Sequence, residues 1–214
     1  MSGIQRQSKR QMAHPAQQTR REPSAERLER MRQLILPVVI REVKSAREAL
    51  ELERRHSIMA FMTITVEDTG TPDLRTLLGA YTQPVIAMGV LRCRYLLEFL
   101  GIKTSGAPPA LKAIGKPRRD DDIGIEHFAR RDGQLLARVT PDEAERTFPE
   151  HSGTGSAWAT VIEIANQRLA HPTDDRKLSG TGMLYEELAT AFATIPELLY
   201  VKFYDALGVD RPSI

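Results

Sequence analysis

The sequence predicts an all-α protein: a bundle of about four principal helices behind a basic N-terminal arm. Three observations carry that expectation. Apolar residues recur at helical spacing in four long stretches, helix start and stop signals punctuate those stretches, and alternating strand-like runs are scarce. The chain has 214 residues, 41 % of them hydrophobic, which suffices for one domain with a core that needs no covalent staple. The domain is expected over 24–208, between the arm (1–23) and a short C-terminal tail (209–214).

Ser24 followed by Ala-Glu-Arg-Leu reads as a helix cap with an acid in the first turn. Leu28, Met31 and Leu34/Ile35 follow at helical spacing, Pro37 interrupts, and Val39, Val43, Ala46 and Leu50 resume the pattern. Residues 58–66 are apolar and β-branched and fit either a short strand or a helix end. Thr71-Pro72-Asp73 reads as the start of a long helix, bent at Pro84 and stopped by Gly101, with Ile102 folding back. Beyond Pro84 that helix is apolar nearly all round, which predicts a central position in the bundle. Residues 103–122, rich in Pro and Gly, read as a long loop. Thr140-Pro141-Asp142-Glu143 opens a short helix ended by Pro149. The next helix begins near Ser156, with Trp158, Ile162, Ala165 and Leu169 on one arc. A last helix runs from about Met183 to Leu207, bent at Pro196 and closed by Gly208.

The net charge of +2 hides an asymmetry. Residues 1–21 carry Arg6, Lys9, Arg10, Arg20 and Arg21 and no acid, whereas the chain beyond Arg32 has 22 basic residues against 25 acidic ones. An arm rich in Gln, Ser and Arg buries too little surface to order itself; it reads first as a solvated tail, and its charge also suits weak attraction to nucleic acid such as RNA or to anionic lipid. Cys93 is the single cysteine, which excludes an intrachain disulfide and a cysteine-rich zinc site, and a reducing cytoplasm is the expected compartment. No apolar run is long enough to span a bilayer, and no signal-peptide core stands at the N-terminus, so no membrane partner is expected.

The segment Asn166-Gln167-Arg168-Leu169-Ala170-His171-Pro172 places three side chains capable of chemistry at a helix end. His171 suits general acid/base work near neutral pH, and Arg168 suits a bidentate grip on phosphate. A basic residue in a last helical turn also serves its carbonyls. Arg92 and Arg94 lie within the most apolar helix and need carboxylate partners, for which Asp120, Asp121, Asp122 and Glu163 are the sequence's candidates. A polar pocket joining Arg94, an aspartate and His171 is the sharper alternative to an ion network that fixes the bundle. The acidic trio with His127 lacks recognisable ligand spacing, so no metal and no cofactor is expected. Ser-Gly-Thr-Gly occurs at 152–155 and 179–182, each before an expected helix, and reads as a capping loop rather than an anion site. Nucleophile elbow, zinc-histidine pair, dinucleotide fingerprint and kinase signature are all missing.

Arg94-Tyr-Leu-Leu-Glu-Phe-Leu100, the Asp121-Asp122-Ile123 step with Phe128 beyond it, and Asn166-Gln-Arg-Leu-Ala-His171 together resemble a group of bacterial helical proteins. In outline they are similar to HEPN-type four-helix bundles, many of which cut RNA or accompany nucleotide transferases. The resemblance spans roughly residues 75–175 and implies a site built from Arg94, Asp121, Asp122, Asn166 and His171, with Arg168 a candidate from its own chemistry. In the ribonucleases of that group Arg precedes a polar residue and then, several residues on, His; here Asn166 precedes Arg168, which precedes His171 by three. Two functions follow as expectations. One is a non-catalytic interaction or scaffold protein, a homodimer among its candidate forms. The alternative is RNA binding or metal-independent RNA cleavage, with His171 as acid/base and Arg168 or Arg94 stabilising phosphate charge.

Overall fold

A computed structural model describes residues 22–65, 72–169 and 182–213. The chain is mostly helical. A short α1 (Ala25–Arg30) passes through a π-helical turn (Met31–Ile35) into α2 (Leu36–Arg55). A hairpin of β1 (Phe61–Thr65) and β2 (Pro72–Leu77) leads to α3 (Leu78–Leu100), and a second hairpin, β3 (Ile102–Ser105) and β4 (Ala110–Ala113), follows. Next come α4 (Pro141–Glu145), α5 (Thr154–Ile164) with a π-helical extension (Ala165–Leu169), and α6 (Gly182–Leu199) with another (Tyr200–Asp205).

The caps are local and do what their residues predict. Ser24 Oγ accepts from the Arg27 N–H, and Thr140 and Glu143 form a reciprocal capping box at α4. Gly101 ends α3 at φ +104°, its N–H reaching the carbonyls of Leu97 and Glu98, and Ile102 is fully buried behind it. The π turn before α2 lies where the Pro37 ring would crowd the preceding carbonyls, so the helix widens instead of breaking.

Two expectations are corrected. Thr71-Pro72-Asp73 does not open a helix: Pro72–Leu77 is a strand paired antiparallel with Phe61–Thr65, Phe61 opposite Leu77. Proline suits a first strand residue as well as a first helical turn, and pairing with the β-branched 61–65 run decides between them. The stretch 103–122 is not loop throughout, since Ile102 pairs with Ala113 and Ser105 with Ala110. Among the described residues the fold is therefore four long helices with two small hairpins, not purely α.

α2, α3, α5 and α6 share one core, whose largest fully buried side chains are Trp158, Phe192 and Phe203. Phe99, Phe128 and Phe203 meet edge to face, with centroids 4.8 to 5.9 Å apart, and tie the end of α3 to the loop after β4 and to the last helical segment. Within this core Trp158 Nε1 donates to Thr194 Oγ1 at 2.8 Å, and Thr194 donates to the Thr190 carbonyl, which satisfies both groups. Cys93 is buried, and burial pushes its thiol well above the usual range.

The closest helix contact is between α2 and α3. A Cβ built on Gly89 would overlap the Cβ of Ala46 and press on the Phe192 ring. Ala is the better helix former by about 0.5–1 kcal/mol, but overpacking costs about 1–3 kcal/mol. Gly89→Ala should therefore lower the unfolding free energy by about 1–2 kcal/mol in denaturant titration; a more stable variant would contradict the close approach.

Candidate functional site

Among the described residues, those singled out in the sequence lie on α3, in the loop after β4 and in the extension of α5. His171 lies outside the described residues. Asn166 and Arg168 are in the π-helical extension of α5, with Asn166 half-buried. Asp121 and Asp122 sit in the loop after β4, both exposed, the Asp121 side chain almost wholly so. They line a hollow of about 350 Å³ with Arg27, Arg30, Tyr95 and Glu98. Arg94 is not among its lining residues; its Nε donates to Glu98 at 2.9 Å, one turn along the same helix.

Arg92 corrects a third expectation. Its partner is neither Asp120–Asp122 nor Glu163 but Glu42 on α2, with Nε 2.5 Å from Oε2. Neither atom has a well-aligned hydrogen bond, so the contact is a half-buried ion pair across the α2–α3 seam.

The most constrained polar cluster was not read from the sequence. Arg118 donates to the carbonyls of Glu98 (2.7 Å) and Phe99 (2.9 Å), the last turn of α3, and to Glu126 Oε1 at 3.0 Å. Arg138 donates to the same oxygen at 2.6 Å and to the carbonyls of Ile114 and Lys116. Gly124 makes the approach feasible, because a Cβ there would fall on the Arg118 guanidinium. Both arginines converge on Oε1, while Oε2 is buried with no hydrogen-bond partner. Burial alone would raise the Glu126 pKa, but hydrogen bonds from Arg138, its own backbone and Arg118 outweigh it, and the carboxyl is held below its ordinary value. This is a lock on the negative end of α3. Beside it, His127 Nδ1 accepts from the Gly124 N–H at 3.0 Å, which leaves the neutral ring's proton on Nε2.

A third cluster joins the opposite ends of the long helices. Glu53 on α2 accepts from Thr82 on α3 and, at 2.8 Å, from the phenol of Tyr185 on α6. Burial first, then the bond to Glu53 and its charge, push Tyr185 up to about 12. The first Ser-Gly-Thr-Gly spans the start of α5: Gly153 is the N-cap at φ +85° without a side-chain cap, Thr154 Oγ1 donates to the His151 carbonyl, and the Glu145 carboxylate lies against Gly155. The second copy lies mostly outside the described residues. Among the described residues no three His, Cys, Asp or Glu side chains gather as metal ligands, and no helix is long and apolar enough to cross a membrane.

The remaining feature is a surface. Solvent-facing positions of α3 carry Ala80, Tyr81, Pro84, Met88 and Leu91, with half-buried Val85 and Tyr95 continuing the line. Tyr81, Met88 and Leu91 are 42 %, 41 % and 37 % exposed. The steps 81, 84, 88, 91, 95 alternate three and four residues, the spacing of a helix–helix seam. That spacing was visible in the sequence, but a helix apolar all round was read as central. Its inner faces are indeed in the core; this one is not.

The Glu126 lock and the Glu53–Tyr185 cluster titrate at opposite ends of the pH scale. Glu126, depressed in the fold, stabilises it above the ordinary carboxylate pKa and ceases to do so as pH falls through the lowered value. Acid unfolding should therefore be shallower in Glu126→Gln than in the parent chain. Tyr185, raised to about 12 from 10.0, contributes fully below pH 10 and progressively less up to about 12. Tyr185→Phe should remove that alkaline loss in melts taken between those values; an unchanged slope would refute the assignment. The chain matches no family model, no curated protein and no solved structure.

Proposed function

We propose that the chain is a non-catalytic interaction module: a helical core, of cytoplasmic location, that offers one helix face for association. The outer face of α3 carries this reading. From Leu78 to Leu91 the helix holds no charged residue, yet Tyr81, Pro84, Met88 and Leu91 meet solvent. Apolar side chains scattered singly over a surface are ordinary, but a continuous line at seam spacing marks a contact. The non-catalytic half draws support from the cations. Arg92 is matched by Glu42, Arg94 by Glu98, and Arg118 and Arg138 by Glu126, so these guanidiniums are engaged inside the chain.

The HEPN-type reading stands second. It draws on the acid-free basic stretch 1–21 and on the four long helices around one core. In it His171 acts as acid/base, Arg168 or Arg94 stabilises phosphate charge, and Asn166, Asp121 and Asp122 complete the site.

Purified chain incubated with mixed RNA in EDTA, beside His171→Ala and Arg94→Ala, separates the two. No cleavage by any of the three is expected. Arg94→Ala should lose no more than about 0.5 kcal/mol of stability, the worth of a half-exposed pair one turn apart on a helix. Cleavage by the parent chain that disappears in His171→Ala would overturn the interaction reading.

A further inference from the structure

We infer that the outer face of α3 packs against the same face of a second copy of this chain, the two helices running antiparallel about Met88. The inference rests on the interaction reading and names its partner.

The face is self-complementary in one register. With the two-fold axis at Met88, Met88 meets its own copy, Val85 meets Leu91, and Tyr81 lies opposite Tyr95. Each half-buried residue thus faces one that is exposed or half-exposed. Charge selects the direction. All charged residues of α3 lie in its C-terminal third, at Arg92, Arg94 and Glu98. A parallel pairing would set Arg92 and Arg94 beside their own copies and align the two helix dipoles. The antiparallel pairing sets Arg92 against the partner's Pro84 instead of against its own copy, and it opposes the dipoles.

Other occupants fit less well. Residues 1–21 hold only Met1, Ile4 and Met12 as large apolar side chains, too few to match a line of five positions. From Tyr81 to Tyr95 the seam is about 21 Å long. A contact of this extent lies near the lower bound of specific interfaces, about 1,000 Å² in total, and predicts reversible association rather than an obligate dimer.

Sedimentation velocity of the full chain from about 1 to about 100 µM tests it. The average mass should climb from 24.0 kDa toward twice that value. Met88→Glu with Leu91→Glu should weaken association by more than about tenfold without lowering the melting temperature, because both positions already face water. Met88→Cys should form a disulfide with its own copy on mild oxidation, whereas Tyr81→Cys should not; buried Cys93 takes no part. If the charged variant melts lower, the disulfide pattern decides. A parent chain that keeps the single-chain mass at the top concentration would overturn the inference, as would self-linking at position 81 without linking at 88. Neither result touches the RNA assay, so failure of the dimer and failure of the interaction reading remain separate.

Discussion

Everything in this molecule is arranged around the approach of α2 to α3 at Ala46 and Gly89. Two helices can come that close only where both side chains are minimal, and the Phe192 ring of α6 closes over the same point. From this contact the two helices run antiparallel, and their polar fastenings follow: Glu53 with Thr82 toward one end, Glu42 with Arg92 nearer the other. Moving the helices apart by the width of a methyl group would strain both fastenings and open the space that Phe192 fills. Packing sets the geometry, and the ion pairs and hydrogen bonds register it.

The polar clusters divide by what they hold. Glu53 joins three helices through hydroxyl donors and needs no cation. Glu126 instead accepts two guanidiniums whose remaining N–H groups serve backbone carbonyls, so the loop after β4 is tied to the end of α3 by electrostatics rather than by apolar burial. Arg118 is mostly buried, and removing its partner would leave an uncompensated charge at a helix end, a more severe injury than losing a surface pair. Asp121 and Asp122, at the rim of this loop, make only exposed contacts: Asp121 lies 3.9 Å from Arg27, and Asp122 accepts from the Arg119 N–H at 3.3 Å.

How much of this was legible in the residues depends on range. Ser24, Thr140 with Glu143, Gly101 and Gly208 act within a turn of themselves, and their roles could be read directly. The strand at Pro72–Leu77 could not, because its proline serves two kinds of beginning and the deciding partner stands on β1. Strands of four residues in a Pro/Gly-rich segment leave almost no alternation to detect. The match of Arg92 with Glu42 spans two elements and has no local signature. The sequence brought Asn166, Arg168 and Asp121 forward because their types can do chemistry, while the residues most engaged in the fold, Arg118, Glu126 and Arg138, looked like ordinary charges in a loop. The line on α3 was present as spacing and was masked by the apolarity of the helix's other faces.

The seclusion of Cys93 has a practical corollary. A sulfhydryl that never meets solvent in the folded chain, and whose ionisation is suppressed there, can be modified only when the helices around it part. Its rate of alkylation is therefore an intrinsic clock for the breathing of the bundle. Because no other sulfur of its kind exists in the chain, that clock reads α3 alone.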